Sequence, residues 1–168
     1  MSPPVLTVAG IGSRHSTDDA IGLRLVASLD RLPTGVRCEL WEDSDALDLA
    51  RRLLDNGGPL LIVDCAEMNL AAGEWRCFAG EPASNMKLTL HSRSISTHGL
   101  GLAEALAIAR RLGLTSAVSI FAVQPYELAL CPPTENPLSE AMQARLPRLL
   151  AALRNNIDTL RTRMPQEA

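Results

Sequence analysis

Leu60-Leu61-Ile62-Val63-Asp64 is an uninterrupted aliphatic run that ends on a carboxylate. Four large apolar residues in a row, preceded by Asn56-Gly57-Gly58-Pro59, predict a strand buried on both faces. Upstream, Leu47, Ala50, Leu53 and Leu54 recur at helical spacing, with Ser44 as the expected cap. Val36 to Trp41 alternates apolar and polar residues like a partly exposed strand. Val5 to Ala9 is a second compact apolar run, leaving through Gly10-Ile11-Gly12. A helix should follow it, capped by Ser16 or Thr17, with Asp18 and Asp19 in its first turn. Its apolar positions are Ile21, Leu25, Leu29 and Leu32, and Pro33-Thr34-Gly35 ends it.

Downstream of Asp64 a strand is expected around Trp75 to Phe78. The stretch 79–96 is polar and unassigned apart from a short strand near Lys87 to Leu90. A helix runs from Gly99 or Leu100 to Leu112, and Ala117 to Val123 is another buried strand. Residues 125–137 hold Pro125, Pro132, Pro133 and Pro137 and read as a surface loop. The last helix begins near Leu138 and ends about Arg163, with Pro147 either in its first turn or kinking it. Strands alternating with helices predict an α/β domain, its mainly parallel sheet covered on both faces. Residues 1–168 are expected to form one domain, with 165–168 a loose tail.

Composition narrows the function. The chain has 168 residues, 46% of them hydrophobic, enough for a sizeable core without staples. Aromatic residues make up only 3%, too few for base-stacking platforms, and the net charge is −3. Nucleic acid is therefore not an expected partner. Cys38, Cys65, Cys77 and Cys131 show no C-x-x-C spacing, which removes zinc ribbons and thioredoxin-like motifs. No apolar run is long enough to span a bilayer, so no membrane partner and a cytoplasmic location are expected.

Ligands of parallel sheets gather beyond the carboxyl ends of the strands. Three stretches could meet there: 10–19, 64–67 and the loop before Leu100. Gly10-Ile11-Gly12-Ser13-Arg14-His15 opens like a dinucleotide fingerprint, but His15 takes the place of the third glycine. Asp18 and Asp19 also put negative charge where a pyrophosphate would sit. By spacing alone these two acids are best explained by the helix dipole, at roughly 0.3–1 kcal/mol each. Asp64 is evenly balanced between capping a turn and binding a ligand, because a buried carboxylate needs a partner. His98, in Ser96-Thr97-His98-Gly99, lies at a loop-to-helix junction and by itself reads as an ordinary capping residue. His91 and His15 have weaker contexts, and Cys65 reads as core. Two carboxylates and an imidazole together suit a divalent metal with open positions, such as nickel or zinc.

In order along the chain, five pieces resemble the hydrogenase maturation proteases. They are Gly10-Ile11-Gly12 with Asp18-Asp19-Ala20-Ile21-Gly22, then Leu61-Ile62-Val63-Asp64, then Ser96-Thr97-His98-Gly99-Leu100-Gly101-Leu102, then Val123-Gln124-Pro125, then Leu138-Ser139-Glu140. The resemblance implies a three-layer α/β/α fold with a mixed or mainly parallel sheet of about five strands. It implies an aspartyl-type endopeptidase that removes the C-terminal extension of a [NiFe]-hydrogenase large-subunit precursor after nickel insertion. It further implies that Asp19, Asp64 and His98 contact the nickel, which arrives with the precursor; no tightly bound resident metal is expected. Which of the three is catalytic stays open.

Three positions depart from the family pattern. Ser13 stands where Asn is usual, and Asp19 where Glu is common. Trp41-Glu42-Asp43-Ser44-Asp45-Ala46 replaces a glycine-rich loop with charge. That last departure motivates an alternative: a non-proteolytic maturation factor that inspects the precursor through the same cleft.

Overall fold

The computed structural model describes residues 5–78 and 101–164. Five strands form one sheet: β1 (Leu6–Gly12), β2 (Val36–Glu42), β3 (Leu60–Cys65), β4 (Trp75–Phe78) and β5 (Val118–Val123). Their spatial order is β2-β1-β3-β5-β4. The first four in that row are parallel, and β4 runs antiparallel to β5 at the edge. The sheet is therefore mixed, as expected.

Alternation along the strands sorts side chains to two cores. Leu6, Val8, Leu61, Val63, Phe121 and Val123 face α1 (Ile21–Ala27) and α4 (Glu140–Arg163). Ala9, Ile11, Leu60, Ile62, Ile120 and Ala122 face α2 (Ala46–Asn56) and α3 (Leu102–Arg111). This is the α/β/α sandwich. The aliphatic run from Leu60 to Val63 lies in β3, at the middle of the sheet, and these residues are 0–2% exposed. Each such side chain contributes about 1.5–3 kcal/mol by leaving water.

Several boundaries differ from expectation. The helix expected to reach Leu32 stops at Ala27. The Ser28 hydroxyl donates to the Arg24 carbonyl at 2.7 Å, and the chain then turns through Arg31 at φ 49°. Asp18–Ala20 form a short 3-10 turn before α1, and Thr17 offers it no side-chain cap. The cap of α2 is Asp45, whose carboxylate accepts from Asp48 N–H at 2.8 Å, while Ser44 turns back toward the Glu42 carbonyl. Gly101 is the cap of α3, which begins at Leu102; the expected start at Gly99 or Leu100 lies outside the described residues. Pro147 lies inside α4, past its first turn, and the helix continues through it. The strand expected near Lys87 to Leu90 lies outside the described residues.

Candidate active site

The turn from β1 into α1 requires two glycines. Gly12 has φ 148°, and a Cβ there would stand 2.1 Å from the Asp19 carbonyl. At Gly22 a Cβ would stand 2.3 Å from the Val63 carbonyl and 2.5 Å from that of Ile11. Only bare backbone lets α1 press this closely against β1 and β3. The close approach carries Asp19 to the carboxyl end of the sheet, where Asp64 stands on β3.

Among the described residues, Asp19 and Asp64 each accept from one backbone N–H. Asp19 Oδ2 accepts from Ser13 N–H at 3.1 Å. Burial raises its pKa to about 6; the Ser13 N–H opposes the rise and the charge of Asp43 adds to it. Asp64 Oδ1 accepts from Cys65 N–H at 2.8 Å. Its pKa is driven well above the usual carboxylate range, first by burial and then by the charge of Asp19. Two acids that desolvate and repel one another form a site that favours a shared proton or a divalent cation. The expected pair is thus brought together at the sheet edge, where two carboxylate oxygen donors suit a divalent cation.

Asp18 has another task. It is fully buried and accepts from Tyr126 N–H and Glu127 N–H at 2.9 Å each. It also accepts from Ser139 N–H at 2.9 Å and from the Ser139 hydroxyl at 3.0 Å. Asp18 lies in the first turn of the short 3-10 helix, as expected, and its carboxylate in addition anchors Ser139, the cap residue of α4. A carboxylate has lone pairs enough for all four bonds, which is why it can be buried. Asp18 is thereby separated from the Asp19–Asp64 pair, although one residue from Asp19.

Cys65 is 8% exposed, faces the α1 and α4 core on the side opposite Asp64, and is held neutral by burial. It is not available as a nucleophile. His98, the third expected site residue, and His91 lie outside the described residues. Among the described residues, no three His, Cys, Asp or Glu side chains form a ready metal cage.

Two further residues bear on the site, neither of which spacing along the chain assigns to it. Asp43, in the charged 41–46 loop, has φ 50°, donates its N–H to the Gly12 carbonyl at 3.0 Å and adds to the field on Asp19. Beside it His15 Nε2 lies 4.0 Å from Asp43 Oδ2, and Arg14 forms a two-bond ion pair with Glu42. The departure from a glycine-rich loop was visible; its closeness to Asp19 was not. Gln124 is the second. It is 5% exposed at the end of β5 and binds the loop that follows Asp64.

The family model for hydrogenase maturation proteases matches residues 46–156. Among solved structures, the hydrogenase maturating endopeptidase HybD from E. coli is 26% identical, with TM-score 0.65 over 90% of this chain and 93% of that one. The hydrogenase 2 maturation peptidase of a Thaumarchaeota archaeon is 21% identical, with TM-score 0.60 over 91% and 97%. The [NiFe] hydrogenase maturation protease HycI from Thermococcus kodakarensis is 22% identical, with TM-score 0.58 over 89% and 90%. The last two likenesses concern the fold alone. No curated protein matches the chain. Among the described residues, no helix is long and apolar enough to cross a membrane.

Proposed function

This chain belongs to the hydrogenase maturation protease family, and on that premise we propose that it is a cytoplasmic, nickel-dependent endopeptidase. Its substrate is a [NiFe]-hydrogenase large-subunit precursor already loaded with nickel, and its product lacks the C-terminal extension. The observation that carries the reading is the pair Asp19 and Asp64, desolvated together at the carboxyl edge of the sheet. Nickel held in the precursor supplies the missing positive charge, and His98 completes the contact set. Bound there, the ion can polarise a carbonyl or a water as a Lewis acid. The protein's own part is to hold two carboxylates ready. Ser13 N–H fixes one, Cys65 N–H the other, and repulsion between them makes an incoming cation favourable. A precursor without nickel offers no such compensation, which gives discrimination between ready and unready substrate.

A second reading keeps the cleft and drops the cleavage: a factor that binds the nickel-loaded precursor only to inspect it. Asp43 beside Asp19, in place of the glycine-rich loop, favours it, because the added charge alters the mouth of the site. Purified protein incubated with nickel-loaded and nickel-free precursor separates the two. The endopeptidase predicts loss of a C-terminal peptide, read as a mass decrease, from the loaded form alone. Binding without a mass change establishes the inspecting factor instead. His98→Ala should abolish processing while the circular dichroism spectrum and melting curve stay those of the wild type; wild-type processing by this variant removes His98 from the site.

A further inference from the structure

The loop 66–74 begins two residues after Asp64 and connects β3 to β4. Gln124 holds it at several points. Its side-chain carbonyl accepts from Met68 N–H at 2.7 Å and from Leu70 N–H at 3.3 Å. Its side-chain NH2 donates to Glu67 Oε2 at 2.7 Å. Its backbone N–H donates to the Glu74 carbonyl at 2.8 Å, and its backbone carbonyl accepts from Gly73 N–H at 2.9 Å. One residue therefore pins the middle of the loop with its side chain and the far end with its backbone. The start is pinned by Ala66 N–H to the Val123 carbonyl at 3.0 Å. Ala66 and Met68 pack on the α2 and α3 core, the same side of the sheet on which Asp64 stands, while Glu67 and Asn69 are exposed.

Burying a primary amide is costly unless its donors and acceptors are used. A loop needing only to close could be closed by backbone bonds. The amide of Gln124 goes further and orients an exposed carboxylate, Glu67, at the edge where ligands of such sheets bind. We propose that Gln124 is a positioning residue of the protease. Acting through Glu67 and the amides of Met68 and Leu70, it sets loop 66–74 as the wall of the cleft against which the precursor docks. The inference rests on the endopeptidase reading and adds a determinant of substrate affinity to it.

Reversing the polarity of the pair tests it. Gln124→Glu keeps the size of the side chain and the acceptor for Met68, but sets a carboxylate against Glu67. Gln124→Glu with Glu67→Gln restores an amide–carboxylate pair with the donor moved to the other residue. With nickel-loaded precursor as substrate, Gln124→Glu should raise KM about tenfold and leave kcat within about twofold. The double variant should return KM to within about threefold of the wild type. Glu67→Ala, at an exposed position, removes the partner without burying a charge and should raise KM severalfold, with a fall in Tm small enough to leave the chain folded. It serves where Gln124→Glu does not fold. An unchanged KM in Glu67→Ala, or a rise in Gln124→Glu that the double variant fails to reverse, overturns the positioning role alone. A wild-type chain that cleaves nothing sinks the endopeptidase reading and this inference with it.

Discussion

Asp18 and Asp19 are chemically the same residue one position apart, and their surroundings make them opposites. Asp18 meets four donors, which satisfy its carboxyl oxygens in the core. Asp19 accepts from Ser13 N–H, but burial, with the charge of Asp43 adding to it, raises its pKa to about 6. A carboxyl whose folded pKa lies above its unfolded one binds more protons folded than unfolded between the two values. Stability then falls as pH rises from about 4 through 6, and levels off above. The shift at Asp19 corresponds to at most about 3 kcal/mol. Asp64, raised as well, acts in the same direction. Urea melts of the metal-free chain between pH 4 and 7.5 should show this negative slope, and Asp19→Asn should reduce it while raising stability at pH 7. A slope of the opposite sign in the wild type would contradict the desolvated pair.

At the scale of elements, the site depends on how tightly α1 lies against β1 and β3. Gly22 is the closest crossing, with two backbone carbonyls inside 2.6 Å of any added Cβ. Backbone cannot yield as a flexible side chain can, so Gly22→Ala must push α1 away from the sheet. The expected cost is about 1–3 kcal/mol, as for other overpacked positions. Because Asp19 is carried by the turn immediately before α1, precursor processing should fall more steeply than stability does. Thermal melts and processing rates of the same variant check this; a loss of stability with full activity would separate the helix from the site. The end of α1 teaches a related lesson. Leu29 and Leu32 continue the helical spacing, yet the helix stops at Ala27, because Ser28 satisfies the Arg24 carbonyl locally. Leu29 still packs on the core from outside the helix.

Across the whole molecule, Asp18 joins parts of the chain more than a hundred residues apart. It ties the β1–α1 turn to the segment after β5 and to the start of α4. Thr17 adds to this by donating its hydroxyl to the Glu127 carbonyl at 2.8 Å and accepting from Ala129 N–H at 3.0 Å. The proline-rich 125–137 stretch is therefore fastened at its near end and at its exit into α4. Asp18→Ala leaves three backbone N–H groups and a hydroxyl without their acceptor. Hydrogen bonds to charged groups contribute about 1.5–3 kcal/mol each, so a loss of at least about 3 kcal/mol is expected. Urea denaturation should show a lower midpoint at an unchanged slope. A cost below about 1 kcal/mol would mean that water replaces the carboxylate.

Apolar patterning in the sequence determined the strands β1, β3 and β5 and the helices between them, because a residue buried on both faces of a sheet must be apolar whatever its partners. It also marks Asp64, an acid closing an apolar strand, as an even choice between cap and ligand, whereas Asp19 is assigned to the site only by the resemblance to the hydrogenase maturation proteases. Spacing suits both Asp18 and Asp19 to the helix dipole, and the tertiary structure supplies the partners that distinguish them. Their fates depend on donors that arrive from residues 126, 127 and 139 in one case and on burial and the charge of Asp43 in the other. The tertiary structure likewise decided that a charged loop after β2 bears on Asp19 and that Gln124 governs the loop after Asp64. Burial, repulsion and hydrogen bonding act through space, between residues whose separation along the chain carries no trace of their distance in the fold.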